Sequence, residues 1–293
     1  MLKNDWVLGF IGMGMVGGNT ERLFREIGNY RTVCYDKYKT GIPNRATLTE
    51  TIEQADLLFI ALPTPMSANG AVDLSCISNV LDEIKVRRII VLRSTIPPGT
   101  INQLEKKYPH LDFVMVPEFL TVRDAWNDTI NATRIIIGTN VKALTVLLEF
   151  LFRSVYPGRD IIIIHLTTME TEAYKYTCNA LLAMQILSAN QIYFMLQALG
   201  LDWERIRPHL LYDKRIGTNL LVPGPDGDFG VGGLCLVKDL SGFIMVAEEY
   251  GYTAELFKKA FDFNLTIRKN RDWEKIPGGV SACMYTYDEG ESV

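Results

Sequence analysis

The stretch that decides the fold of this chain is Trp6–Gly17, which reads WVLGFIGMGMVG. Its first half, Trp6–Ile11, is an apolar run of the kind that forms a buried strand. Gly12, Gly14 and Gly17 follow at Gly-x-Gly-x-x-Gly spacing, and an amphipathic stretch comes next. A glycine-rich turn between a strand and a helix predicts the opening unit of a Rossmann-like, doubly wound α/β sheet.

The same turn has the chemistry of a dinucleotide site. The N-terminus of the helix favours phosphate charge, and Gly14 lets a pyrophosphate approach the backbone. Asp36 ends the next strand about 20 residues later, where a carboxylate can bind both ribose hydroxyls and repel a 2′-phosphate. The sequence therefore predicts NAD as the cofactor, against the alternative of a glycine turn without a ligand. The predicted contacts are Gly12, Gly14, Met15, Val16, Gly17, Asp36 and Lys37.

Further apolar runs extend this pattern through the first half of the chain. They lack polar alternation, which indicates parallel strands covered on both faces. Amphipathic stretches such as Val141–Phe152 fit between them as helices. We therefore expect a Rossmann-like NAD-binding domain over residues 1–165. Its remaining strands are predicted at Thr32–Tyr35, Leu57–Leu62, Arg88–Leu92, Phe113–Val116, Arg134–Ile137 and Ile161–Ile164.

Two loops follow predicted strands of this sheet. Leu62–Pro65 reads LPTP and Ser94–Gly99 reads STIPPG. Ligands of such sheets bind at the carboxyl ends of the strands. Pro63, Thr64 and Thr95 are therefore predicted to line the nicotinamide end of the cofactor site. Taken alone, each loop fits an ordinary strand-to-helix turn equally well.

The second half of the chain is predicted to be helical. Residues 159–199 contain neither glycine nor proline, and a helix over Thr168–Leu199 would be about 45–50 Å long. This helix is apolar around much of its circumference, so we expect it to pack against a second subunit, with a central core helix as the alternative. Residues 166–270 are predicted to form an all-helical substrate and dimerisation domain, and residues 271–293 a C-terminal tail.

Composition limits the partners of the protein. The net charge is −4 and no basic block is present, which argues against nucleic acid. The N-terminus lacks a signal-peptide layout, and no apolar run reaches the roughly 20 residues of a membrane helix. The cysteine count is odd and no spacing is that of a metal site, so we expect no metal and a reducing, cytoplasmic location. The five cysteines are Cys34, Cys76, Cys178, Cys235 and Cys283.

Several polar segments of the chain suggest catalysis. Glu118 lies just beyond a predicted strand, and Lys175 and Asn179 are four residues apart, so they share a helix face. Cys235 follows a glycine-rich segment at the predicted start of a helix, a position that favours the thiolate. Lys238 would strengthen that effect. The alternative is a buried structural cysteine behind a flexible loop.

Together these segments resemble the UDP-glucose dehydrogenase family, in order and over roughly residues 5–270. The resemblance is carried by the glycine turn and by motifs found in series along the chain. These are the Pro-Thr-Pro loop at 63–65, Ser-Thr-x-Pro-x-Gly at 94–99, Pro-Glu-Phe-Leu at 117–120, Lys-x-x-x-Asn at 175–179, Arg-Ile-Gly at 215–217 and Gly-Gly-x-Cys-x-x-Lys-Asp at 232–239.

The resemblance implies an NAD-dependent double oxidation of a nucleotide sugar, UDP-glucose first, to the uronic acid. It implies Cys235 as the nucleophile, Lys175 and Asn179 as oxyanion stabilisers, and Glu118 and Asp239 as groups that handle protons and water, with Thr95 holding a water. Thr95, Glu118 and Lys238 would also contact the cofactor. The implied substrate contacts are Glu118, Phe119, Leu120, Lys175, Asn179, Phe229, Gly232, Cys235 and, reaching across a homodimer, Arg215.

The chain departs from the family pattern in substrate recognition. The third, C-terminal domain of the family is not in this sequence, and Thr121-Val122 replaces the usual Arg-Glu. The segment Pro223–Cys235 is longer than usual and adds Asp226 and Asp228, whereas the stretch after Asp36 is shorter. These differences leave open another nucleotide sugar, such as a UDP-N-acetylhexosamine or GDP-mannose. They also leave open a two-domain β-hydroxyacid dehydrogenase, which needs no cysteine, and a truncated relative without catalysis.

Overall fold

The computed structural model describes residues 6–213, 216 and 226–281. The chain forms two compact units, each described below by itself. The first contains Met1–Thr64 and Leu74–Lys175, and the second contains Pro65–Asp73 and Tyr176–Val293. The division thus falls inside the long helix rather than at residue 165, and the segment after the Pro-Thr-Pro loop belongs to the second unit.

The first unit is built on a seven-stranded sheet of order β2-β1-β3-β4-β5-β6-β7. Strands β1 to β5 are parallel, with registers such as Phe10 opposite Cys34 and Phe59. The predicted doubly wound α/β fold is therefore confirmed. The strands are β1 Val7–Ile11, β2 Arg31–Tyr35, β3 Leu57–Ile60, β4 Arg88–Leu92, β5 Leu111–Met115, β6 Arg134–Gly138 and β7 Ile162–Leu166.

The last two strands differ from the parallel, fully covered sheet that the sequence predicts. β6 pairs antiparallel with β5 through Met115 and Gly138, and β7 is parallel to β6. The chain between β5 and β6 contains only short helices. β6 therefore starts at the edge of the sheet where β5 ends, and it runs in the opposite direction. β7 is an edge strand, and its Ile162 is 61% exposed. An apolar run cannot reveal strand direction, because parallel strands and central antiparallel strands both lose polar alternation.

Helices cover both faces of the sheet. On one face, Phe10, Phe24, Phe59 and Phe152 form a cluster of rings, and stacked Phe10 and Phe59 have centroids 4.9 Å apart. The other face buries a second, mainly aliphatic cluster around Leu58. The helices are α1 Met15–Arg22, which continues as a π-turn over Leu23–Ile27, α2 Leu48–Gln54, α3 Ser75–Leu81, α4 Thr100–Lys107, α5 Ala125–Ile130, α6 Lys142–Ser154 and the first turns of α7.

The second unit is helical. It contains the rest of α7, Thr168–Ala198, with α8 Trp203–Leu210, α9 Leu236–Glu249 and α10 Glu255–Ile267. The stretch that the sequence assigns to a tail contributes to this unit, because Trp273 is 2% exposed in its core. Its backbone also pairs with the segment after the Pro-Thr-Pro loop: Met66 N donates to Gly279 O and Ser281 N to Met66 O, both at 3.0 Å.

Candidate active site

The start of α1 has the geometry of a phosphate-binding turn. Gly12 has φ +87°, and a Cβ there would lie 2.4 Å from the carbonyl oxygen of Ala61. A Cβ on Gly17 would lie 1.9 Å from the carbonyl oxygen of Gly12, so only glycine allows this close packing. Gly14 has open space where its Cβ would be. The first N–H groups of α1, from Met15, lack intrahelical acceptors and are available to an anion.

Asp36 connects this turn to the end of β2. Its carboxylate accepts from Met13 N at 2.7 Å and from Tyr38 N and Lys39 N at 2.9 Å. The side chain is only half-buried, and an ionised carboxylate has about four acceptor sites, so it can also accept from ribose hydroxyls. Together with the open side of Gly14, this arrangement fits NAD.

The two proline loops form one wall. Thr64 donates through its hydroxyl to the carbonyl oxygen of Thr95 at 2.8 Å. Ser94 donates to the carbonyl oxygen of Leu62 at 2.8 Å and accepts from Leu62 N at 2.9 Å. The sequence leaves open whether each loop is an ordinary turn. These bonds show that the loops are joined side by side at the carboxyl ends of β3 and β4.

A group of predicted catalytic residues meets at the end of β5. Lys175 of α7 donates to the carbonyl oxygen of Glu118 at 2.6 Å, and its ammonium lies 5.0 Å from the ring centroid of Phe119. The Glu118 carboxylate accepts from Phe119 N at 2.8 Å and forms an ion pair with Arg93. Arg93, which the sequence reasoning did not select, is 5% exposed and also donates to Val116 O at 3.0 Å.

Glu172 is a second residue that the sequence reasoning did not select. It is fully buried, and its two carboxylate oxygens accept from Gly99 N at 2.6 Å and Ile101 N at 2.8 Å, at the start of α4. Burial raises the pKa of Glu172 to about 7, although the hydrogen bonds from the two backbone N–H groups act to lower it. The helical spacing of the sequence indicates this burial. Glu172 lies four residues before the buried Tyr176, so both side chains are on the same face of α7.

In the second unit, Asp239 organises the other predicted residues. One carboxylate oxygen accepts from the Asn179 amide and the other pairs with the Lys238 ammonium, each at 2.5 Å. All three side chains are buried, with Asp239 at 0% exposure. The structure thus brings two of the predicted catalytic residues, Asn179 and Asp239, into contact. Lys238, predicted as a cofactor contact, directs its charge to Asp239.

Cys235 lies at the N-terminal end of α9. It is the N-cap residue of the helix, and its carbonyl oxygen accepts from Asp239 N at 2.9 Å. Its side chain is exposed. The alternative of a buried structural cysteine is therefore wrong.

The segment 226–235, here named the Cys235 loop, is fixed by a buried arginine. Arg268 is 5% exposed and donates to both carboxylate oxygens of Asp226, at 2.6 and 3.1 Å, and to Asp272 at 3.1 Å. Burial acts to raise the pKa of Asp226, but the bonds from Arg268 hold it below its ordinary value. A Cβ on Gly232 would lie 1.9 Å from the guanidinium, so this glycine makes room for Arg268. We name this group the Arg268 cluster.

Side chains also bind the backbone of the Cys235 loop. Val231 N donates to Asn264 at 2.7 Å, and Gly233 N donates to Asp272 at 2.9 Å. Gly230 N donates to Asn190 at 3.2 Å. The two added acids therefore have a structural role: Asp226 binds Arg268, and Asp228 accepts N–H groups from 269 and 270 at 3.0 and 2.7 Å.

The remaining predicted site residues differ in their surroundings. Phe229, a predicted substrate contact, packs on Tyr193 and Phe194 of α7 with ring centroids 5.3 and 4.9 Å away. Leu120 is half-buried beside Phe119, and Lys37 is exposed. Arg215 lies outside the described residues. Within the ranges that the structure describes, no cluster of side chains could hold a metal ion and no helix is long and apolar enough to cross a membrane.

Comparison with known proteins gives the family. Residues 39–156 match the NAD binding domain of the UDP-glucose/GDP-mannose dehydrogenase family, and residues 169–266 match its central domain. The glycine turn and Asp36 precede the first match, so they rest on the geometry above. NAD, the predicted cofactor, is the one named for the matched domain.

Three similar proteins illustrate the relationship. UDP-glucose 6-dehydrogenase TuaD of Bacillus subtilis is 28% identical, with 87% of this chain and 62% of the relative covered. The structure of a UDP-glucose dehydrogenase from Pyrobaculum islandicum has a TM-score of 0.79 at 25% identity and covers 89% of this chain and 68% of that one. Mycobacterium tuberculosis 3-hydroxyisobutyrate dehydrogenase shares the fold at 19% identity and a TM-score of 0.68. The match covers 91% of this chain and 94% of that one.

The chain thus spans less than two thirds of the length of its Bacillus relative. Over that span it carries both matched domains in the order of the family. The structure holds the family's motif residues in two groups, one around Glu118 and one around Asp239. On these grounds the chain belongs to the UDP-glucose/GDP-mannose dehydrogenase family.

Proposed function

We propose that this chain oxidises the primary alcohol of a nucleotide sugar to the uronic acid in two steps, with UDP-glucose as the first candidate substrate. The observation that carries the proposal is Cys235, an exposed thiol at the start of a helix, on a loop that the protein immobilises. The glycine turn, Asp36 and the wall of Pro63, Thr64 and Thr95 would hold NAD. When bound, NAD accepts the hydride in each oxidation.

The chain's own residues then have distinct tasks. The Cys235 thiolate adds to the aldehyde carbon, which makes a thiohemiacetal, and the second oxidation turns this into a thioester. Water breaks the C–S bond, which releases the acid and regenerates the thiol. Lys175 and Asn179 would stabilise the oxyanions that form. Glu118 and Asp239 would accept and return protons, and Thr95 would hold a water.

The substrate contacts follow the same proposal. Phe119 and Leu120 are placed beside Glu118 and Lys175, so we assign this group to the sugar. Gly232 and Phe229 are engaged by Arg268 and by α7, so their role would be to shape the site rather than to bind directly. Arg215 keeps its proposed role at the diphosphate of a partner subunit.

The experiment is to count NADH formed per sugar consumed with a panel of nucleotide sugars. We expect two NADH per UDP-glucose and UDP-glucuronate as the product. Cys235→Ser should lower turnover by on the order of 10³-fold or more, as loss of a nucleophile does. Cys76→Ser, a half-buried cysteine of α3, is the matched control and should retain turnover. One NADH per sugar would remove the thioester from the mechanism.

A different outcome would favour the simpler chemistry of the fold. The hydroxyisobutyrate dehydrogenase has nearly the same length as this chain and shares its fold. Full turnover of Cys235→Ser on a β-hydroxyacid, with nucleotide sugars inert, would establish that activity instead. Inertness toward both classes with NAD binding intact would indicate a binding protein.

We further propose a homodimer through α7. No charged residue occurs between Lys175 and Asp202, a span that contains most of α7 and includes exposed positions. Six exposed positions follow each other at alternating spacings of four and three, as in a helix–helix seam. They are Leu181, Gln185, Ser188, Ile192, Met195 and Leu199. A monomer in sedimentation analysis at micromolar concentration would contradict this proposal.

A further inference from the structure

The first unit contains a cavity of about 200 Å³ beside Glu118. It is bounded by the end of β5, the start of β6 and helices α1, α5 and α6. Its lining includes both charged and neutral polar groups. Among them are Arg93, Glu118, Asn131, Thr133, Arg134 and Tyr156.

Two buried donors in the lining have no acceptor within the part of the chain that the structure describes. Arg93 uses its terminal nitrogens on Val116 and Glu118, but its Nε has no partner among the described residues. The buried Nε of Arg134 also has none there. Buried polar groups in a polar cavity are satisfied by water, and a space of this size holds on the order of five water molecules.

The cavity leads from the surface to the base. Asn131 and Thr133 on its outer side are exposed, whereas Arg93 and Tyr156 on its inner side are each 5% exposed. Burial raises the pKa of Tyr156 to about 12, so its phenol stays neutral and donates to Thr129 O at 2.8 Å. The inner wall is therefore fixed, and the charged residues that line the cavity are Arg93, Glu118, Asp128 and Arg134.

The proposed reaction creates a conflict over water. Hydride transfer proceeds best in a site from which water is excluded. The last step, however, consumes one water for every sugar: its oxygen bonds to the acyl carbon as the C–S bond breaks, one proton goes to a carboxylate and the sulfur leaves as thiolate. A supply of water held beside the base, on the side of Asn131 and Thr133, would resolve this conflict.

We propose that the cavity is a water store that supplies Glu118 with the water for thioester hydrolysis. This inference rests on the proposed function. Both Glu118 oxygens already accept one bond, from Arg93 and from Phe119 N, and each retains acceptor capacity for a water. Arg93 is then a positioning residue, since it holds the carboxylate at the inner end of the store.

The test fills the cavity without touching its charged groups. Ala132 lines it and is half-buried, so Ala132→Leu should displace water, whereas Ala132→Ser preserves the space and the polarity. In Ala132→Leu we expect a first-turnover burst of two NADH per site, a thioester on Cys235 visible by intact mass, and steady-state turnover lower by about tenfold, less than the loss of a whole proton acceptor. Ala132→Ser should behave as the unchanged protein.

Thr133→Leu at the outer rim is the second variant and should give the same burst if Ala132→Leu does not fold. Unchanged turnover in a folded variant, or lower turnover without a trapped thioester, would overturn the water store. If the unchanged protein forms no NADH with any nucleotide sugar, the proposed function itself fails. The two failures are therefore distinguishable.

Discussion

The starts of α1 and α9 are both glycine-rich, yet they are built in opposite ways. At α1, Gly14 has open space at its Cβ position, and the first-turn N–H groups lack acceptors within the helix. Before α9, the N–H groups of Gly230, Val231 and Gly233 are taken by side chains of the protein itself. The first turn offers its donors to a ligand. The second uses its donors to hold a thiol in place.

The largest expected effect comes from breaking the second arrangement. Arg268→Met removes the charge-assisted hydrogen bonds that a buried guanidinium donates to Asp226 and Asp272, whose side chains are 41% and 21% exposed, so the free energy of unfolding should fall by about 3 kcal/mol. Urea unfolding measures this change. Arg271→Met is the matched control, because Arg271 is 44% exposed and its pair with Glu274 should contribute less than about 1 kcal/mol. Equal losses in the two variants would show that the Arg268 cluster does not hold the loop.

An intermediate effect is expected at α4, whose start is filled by the Glu172 carboxylate. The folded pKa of about 7 is above the ordinary value of 4.5, so the folded state binds more protons between these values. Its contribution to stability is full below about pH 4.5 and is lost as pH rises through 7. The loss is at most about 3 kcal/mol, since one pKa unit corresponds to about 1.4 kcal/mol.

Glu172→Gln should therefore flatten the decrease in unfolding free energy between about pH 5 and 8. Exposed Glu170→Gln, two residues earlier on α7, should keep the decrease of the unchanged protein. Parallel curves for Glu172→Gln and the unchanged protein would mean that the carboxyl titrates equally in both states.

The smallest effect on stability is expected at the open turn. Gly14→Ala meets no neighbour within 4 Å at an ordinary φ of −70°, so unfolding should change by less than about 0.5 kcal/mol. NAD affinity should fall by about tenfold, or 1.4 kcal/mol, because the methyl group occupies the side from which a pyrophosphate approaches. Calorimetric titration measures this. Gly18→Ala, inside α1, should leave affinity unchanged, and equal affinity in both variants would place the phosphates elsewhere.

The sequence predicts the parts of the site that local patterns encode. Gly12, Gly17 and Asp36 are predicted from the pattern of a strand, a glycine turn and an acid about 20 residues later. Asn179 is predicted because it lies four residues after Lys175 on the same helix. The α/β fold follows from the apolar runs. Strand direction at β6 does not, because apolar runs have no direction.

The residues that the sequence reasoning did not select are single polar side chains with distant partners. Glu172 binds the backbone at 99 and 101, and Arg268 binds Asp226. Such a residue has no local companion that marks it, and its polar type suggests the surface. The burial of Trp273 was not predicted for a similar reason, because the residues around it are polar. Long-range pairing, rather than composition, decides these positions.

The anchored Cys235 loop has a consequence for how its dynamics should be measured. Glycine-rich segments are commonly expected to exchange amide hydrogens quickly and to be cut by proteases. Here the amides of Gly230, Val231 and Gly233 are bonded to side chains that are themselves held by helices α7 and α10 and by the turn at Asp272. Their exchange should therefore follow the opening of the helical unit rather than local fraying, which makes these three amides reporters of that unit's cooperativity.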